Sequence, residues 1–121
     1  MLAGVLPFLA ARDLQGTLAF YEGLGFERVI CEMEQTNGIH GMLSGSVELM
    51  FYHEPDLDPA LAGRGVRLYL DTDDVATLHA RALALGAEII RDLEVRPWGM
   101  REFTLRDPNG YIMTFAQGAD Q

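Results

Sequence analysis

The chain has 121 residues, 49% of them hydrophobic and 22% charged, and a net charge of −9. Those values fit one globular domain and exclude a disordered or membrane-embedded chain. The acidic balance, with lysines and arginines scattered and never in a run, excludes a nucleic-acid phosphate backbone as partner.

No apolar run reaches the roughly 20 residues of a bilayer span. The N-terminal stretch from Met1 to Asp13 lacks the basic start and long apolar core of a secretory signal, so the expectation is a cytoplasmic protein with no membrane partner. Cys31 is the single cysteine, which excludes an internal disulfide; it reads as a half-buried strand residue.

In chain order, Val5 to Ala11 is an apolar run of strand length, and Asp13 stands where a helix N-cap belongs. Leu14, Leu18, Tyr21 and Leu24 recur at helical spacing as a core stripe, and Gly23 and Gly25 end the pattern. Three antiparallel strands are predicted next, over Phe26 to Met33, Ile39 to Leu43 and Val47 to Tyr52. They are separated by turn signals at Thr36-Asn37-Gly38 and Ser44-Gly45-Ser46. His53 to Gly65, with two prolines and two glycines, reads as a linker.

A second round follows. Val66, Leu68 and Leu70 alternate with Arg67, Tyr69 and Asp71, predicting a strand with one packed and one more polar face. Asp73 or Asp74 caps a helix with Val75, Leu78, Ala82 and Leu85 on one side, ending at Gly86. Strands near Glu88 to Val95, Arg101 to Arg106 and Tyr111 to Ala116 complete it. Asp13 and Gly25 stand the same 61 residues before Asp74 and Gly86, so the chain is an internal repeat. The predicted class is α+β: one domain over residues 1–121, with a βαβββ module at about 4–53, a linker at about 54–64 and a second module at about 65–117. Each module exposes one sheet face, which a second copy must cover.

The residues from Asp13-Leu14 through Phe20-Tyr21 to Leu24-Gly25-Phe26, the strand Val47 to His53, and above all Trp98-Gly-Met-Arg-Glu-Phe followed by Asp107-Pro-Asn-Gly-Tyr resemble the vicinal-oxygen-chelate superfamily. This is the glyoxalase, bleomycin-resistance and extradiol-dioxygenase group, and the likeness is greatest to bleomycin-resistance-type members. It implies paired modules forming a cup-shaped half-barrel, and a homodimer. Metal-dependent members carry His or Glu on the first and last strands of each module. By position these sites fall on Leu6, Arg67, Glu48 and Thr114, of which only Glu48 ligates well, with Glu48 placed on the assumption that the Ser44-Gly45-Ser46 hairpin is one residue shorter than its counterpart. A guanidinium that cannot lose its charge opposes a cation, so no metal and no cofactor is expected.

Glu48 and Arg67 are expected to pair where other members hold a metal. Alternation sends Tyr69 to the same side as Arg67, and by repeat symmetry Phe8 beside Leu6; Met50, Tyr52 and Ile112 join them. Trp98, in the Pro97-Trp98-Gly99 turn, is placed to close over a planar or cationic group. His40, His53 and His79 lack metal-ligand spacing and read as surface or structural residues. No Ser-His-Asp set, phosphate loop or nucleophile elbow appears.

The expected function is therefore metal-independent binding or sequestration of a small aromatic or cationic organic molecule, with Glu48, Arg67, Tyr69, Trp98, Tyr52, Met50, Phe8 and Thr114 as ligand contacts. The alternatives are a metal-dependent glyoxalase, lyase or dioxygenase with displaced ligands such as His40 or His53, and a metal-free acid–base enzyme using Glu48.

Overall fold

Asp13 and Asp74 each open a helix, and the two caps work alike. The Asp13 carboxylate accepts the Gly16 N–H at 3.1 Å, and the Asp74 carboxylate accepts the Thr77 N–H at 3.1 Å and the Thr77 hydroxyl at 2.7 Å. Each supplies an acceptor for a first-turn N–H that has no partner inside the helix. Gly25 at φ 109° and Gly86 at φ 70° then turn the chain out through the left-handed region.

A computed structural model describes residues 1–29 and 40–120, which divide into two compact units, Met1–Asp58 and Pro59–Gln121. The first unit runs β1 (Phe8–Ala11), α1 (Leu14–Leu24), β2 (Glu27–Val29), β3 (His40–Ser44) and β4 (Val47–His53). The second runs α2 (Pro59–Ala62), β5 (Arg67–Asp71), α3 (Val75–Ala84), β6 (Glu88–Val95), β7 (Met100–Arg106) and β8 (Ile112–Gly118). The sheets are ordered β1-β4-β3-β2 and β5-β8-β7-β6. In each the first strand lies parallel to the last, and the other pairs are antiparallel.

Each sheet packs one face on its own helix. In the first unit Leu18, Tyr21 and Leu24 of α1 are buried with Leu9, Leu49 and Phe51, and the Tyr21 ring lies 5.0 Å from that of Phe51 and 5.5 Å from that of Phe26. In the second, Val75 and Ala82 of α3 are buried with Phe103, Leu105, Met113 and Phe115, and the two Phe rings stack at 5.5 Å. Full burial of one such side chain contributes about 1.5–3 kcal/mol, so each cluster stabilises its own unit.

Several expected boundaries move. β1 begins at Phe8 rather than Val5: Pro7 has no N–H to add to the ladder, although its carbonyl still accepts the Met50 N–H at 2.9 Å. Asp74, not Asp73, caps α3. Leu85 is 40% exposed, past the last helical turn, and is not part of the α3 core stripe. Part of the expected linker is the short helix α2, which runs against the Asp107–Tyr111 turn so closely that a Cβ on Gly110 would stand 2.0 Å from the Pro59 carbonyl oxygen. Cys31 and the Thr36-Asn37-Gly38 turn lie outside the described residues.

Candidate functional site

The β7–β8 hairpin sets the site. Asp107 accepts the Asn109 N–H at 2.9 Å and the Tyr111 N–H at 2.8 Å, while Pro108 and Gly110, at φ 101°, reverse the chain. This turn aligns Arg106 with Ile112, Thr104 with Thr114 and Glu102 with Ala116. On the other side of β8, Arg67 pairs with Ile112, Tyr69 with Thr114 and Asp71 with Ala116. Because side chains alternate along a strand, Arg67, Tyr69, Glu102, Thr104, Ile112 and Thr114 share the face turned away from α3.

That face bears a cleft of about 420 Å³ lined by Arg67, Leu68, Tyr69, Ile90, Arg91, Trp98, Glu102, Thr104 and Thr114. Its floor is Glu102, only 5% exposed. One oxygen of this carboxylate accepts the Trp98 indole N–H at 2.5 Å and the Tyr69 hydroxyl at 3.0 Å. Tyr69 reaches Glu102 across β8, where the short side chains of Thr114 and Ala116 leave the sheet surface low between them. The two threonine hydroxyls beside them satisfy each other at 2.7 Å.

Trp98 comes from the loop between β6 and β7, which is closed by Arg96 N–H to Met100 carbonyl and Gly99 N–H to Arg96 carbonyl bonds at 2.7 and 2.9 Å. The Arg96 guanidinium carbon lies 4.8 Å from the indole centroid, and Arg96 is itself paired with Glu94. The indole is thus gripped at its N–H by Glu102 and covered by a guanidinium, while 56% of Trp98 stays exposed. Tyr69 is also about half exposed as a residue, at 52%. Its hydroxyl titrates above the ordinary tyrosine value, first because it is drawn out of water and then because it donates to the Glu102 carboxylate; hydrogen bonding with Trp98 offsets part of this.

Of the expected contacts, Arg67, Tyr69, Trp98 and Thr114 meet in this one cleft. Phe8, Glu48, Met50 and Tyr52 share the corresponding face of the first unit, where Phe8 pairs with Met50. Met50 is only 3% exposed, whereas Phe8, Tyr52 and Glu48 are exposed. The register also corrects one position. Tyr69 pairs with Thr114 and its repeat partner Phe8 pairs with Met50, so Met50, not Glu48, is the counterpart of Thr114. Parallel pairing of the first and last strands decides this; the length of the Ser44-Gly45-Ser46 turn does not.

The donor set does not fit a divalent cation. Leu6 and Arg67 offer no lone pair, Met50 offers only a weak thioether, and the Thr114 hydroxyl is engaged with Thr104. Among the described residues no three His, Cys, Asp or Glu side chains come together in a metal-holding group. His79 bonds Asp92 at 2.7 Å and packs its ring 5.1 Å from Phe103, the structural role expected of it.

Glu102, Thr104, Ile90 and Arg91 were not singled out from the sequence. Glu102 was within reach of it, since the Asp107-Pro-Asn-Gly turn dictates which β7 residues share a face with Thr114. Ile90 and Arg91 were not. Between the pairs Ile89–Leu105 and Arg91–Thr104, β6 carries one residue more than β7, and this bulge brings Ile90 and Arg91, which strict alternation would send to opposite faces, to the same cleft.

Two sheets of order 1-4-3-2, each backed by one helix, define an α+β fold that solved proteins share. A bleomycin resistance determinant encoded on the transposon Tn5 superposes with a TM-score of 0.77 at 28% identity, covering 97% of this chain and 98% of that one. A bleomycin-binding protein in complex with bleomycin gives 0.76, also at 28% identity, over 97% and 99%. In sequence, the bleomycin resistance protein of Klebsiella pneumoniae is 30% identical over 118 residues, which is 92% of this chain and 89% of that protein. Residues 4–115 match the Glyoxalase/Bleomycin resistance protein/Dioxygenase superfamily, and the chain belongs to it. No helix among the described residues is long and apolar enough to cross a membrane.

Proposed function

We propose that the chain binds and sequesters a small organic molecule with planar aromatic or cationic parts, without a metal, and that bleomycin or a compound like it is the ligand. The observation that carries this reading is Trp98, held rigidly at the edge of the second-unit cleft with its ring largely exposed. An aromatic fixed before the ligand arrives loses little freedom on binding. The relation to proteins named for bleomycin resistance and bleomycin binding supports the choice of ligand. The donor set supports binding without a metal, and the same chemistry speaks against a metal-dependent lyase or dioxygenase.

We further propose that the working form is a homodimer located in the cytoplasm. The exposed Leu6, Phe8 and Tyr52 of the first unit form an apolar surface of the kind a partner covers. Isothermal titration of the protein with metal-free bleomycin tests the function. Saturable heat that persists in EDTA, and that weakens about five-fold in Trp98→Ala through loss of a stacking contact, is expected. Absence of heat at millimolar ligand, or binding abolished by EDTA, overturns the reading.

A further inference from the structure

We propose that the second-unit cleft selects a planar ligand carrying charges of both signs, with an amidinium-like donor seated on Glu102 and an acid or strong acceptor group held by Arg67 and Arg91. The inference rests on the proposed binding role and names the chemistry it requires.

Glu102 is the starting point. Buried carboxylates are costly unless compensated, and both hydrogen bonds that Glu102 receives fall on one oxygen, from the neutral donors Trp98 and Tyr69. No cation among the described residues pairs with it. The second oxygen is neither hydrogen-bonded nor sealed in, and Glu102 lines the cleft. A carboxylate held still by two donors on one oxygen, with the other open at the base of a cleft, is built to accept from a ligand.

The walls carry the opposite sign. Arg67 and Arg91 line the same cleft from β5 and β6, and neither has a carboxylate partner among the described residues. Glu94 and Glu88, on the same strand as Arg91, are engaged by Arg96 and Arg106. Guanidinium groups on the walls match planar acceptors such as carboxylates in two-point fashion. A ligand with only a positive charge would satisfy Glu102 and meet two arginines; one with only a negative charge would do the reverse. A flat molecule with both, stacked on Trp98, satisfies all three.

The test uses the full chain labelled with ¹⁵N. Trp98 is the only tryptophan, so its single indole N–H signal reports directly on the Glu102 bond. Four flat probes of similar size are titrated: benzamide (neutral), benzamidine (positive), benzoate (negative) and 4-amidinobenzoate (both). The expected order puts 4-amidinobenzoate about five-fold or more ahead of benzamidine, and benzamidine ahead of benzamide by a similar factor, as charge-assisted contacts in a half-open site allow. Glu102→Gln, which keeps an acceptor for Trp98 and Tyr69, removes the preference for amidinium over amide. Arg67→Leu with Arg91→Leu brings 4-amidinobenzoate down to the level of benzamidine. Benzamide equal to benzamidine in the unaltered protein overturns the proposal without recourse to any variant, as does a Glu102→Gln protein that keeps the preference. If the probes fail to discriminate while bleomycin still gives heat, the charge assignment falls and the binding role stands; if neither binds, both fall.

Discussion

Asp107→Ala removes the acceptor that shapes the β7–β8 turn. Asp107 is 4% exposed, and one oxygen takes the Asn109 N–H at 2.9 Å in a buried bond and the Tyr111 N–H at 2.8 Å in a partly buried one. Alanine leaves both donors without that partner. A buried donor left unsatisfied costs about 1–3 kcal/mol, and the partly buried one recovers some of its loss from water, so about 2–4 kcal/mol of stability is lost. Urea unfolding followed by Trp98 emission measures it; with a slope of about 1–2 kcal/mol per molar, the midpoint falls by about 1–4 M. Asp107→Asn retains an acceptor oxygen and is expected to lose less. The same turn aligns Glu102 and Thr104 with the β8 face, so in Asp107→Ala the indole N–H signal of Trp98 shifts even where the protein remains folded. A loss below about 0.5 kcal/mol would refute the claim that this carboxylate carries the turn.

Two further outcomes are expected. Gly110→Ala places a side chain at φ 101° and 2.0 Å from the Pro59 carbonyl oxygen, so it destabilises the protein by about 2 kcal/mol or more in the same urea assay and exposes the α2 segment to proteolysis; unchanged stability and unchanged cleavage would show that α2 does not dock on this turn. Tyr69→Phe alters the alkaline limb of stability. The native hydroxyl titrates above its unfolded value near pH 10, so its contribution is whole below pH 10 and is lost as pH rises through the higher native value. Melting temperatures of the two proteins should therefore diverge least at the top of a pH 8 to 11 series, and a constant difference throughout would contradict the Tyr69–Glu102 bond.

Much of the fold was legible in the chain because its signals are local. The Asp13 and Asp74 caps, the glycines at 25 and 86, and alternation along β5 each act within a few residues, and their recurrence at one interval exposed the repeat. The same locality put Arg67 and Tyr69 on one face of β5 and Trp98 in a turn, while Thr114 came from the family resemblance. What tertiary structure alone decided depends on pairing between distant strands. Register made Met50, rather than Glu48, the counterpart of Thr114. The β6 bulge turned both Ile90 and Arg91 to the cleft. Glu102 became its floor because the small residues of β8 let Tyr69 reach over the sheet while the Arg96–Met100 loop folded Trp98 back onto it. Periodicity assigns a residue to a face. Only the packed strands determine which side chains on that face touch, and here that is what separates a set of aromatic candidates from a site with a buried carboxylate and two arginines that have no carboxylate partner among the described residues.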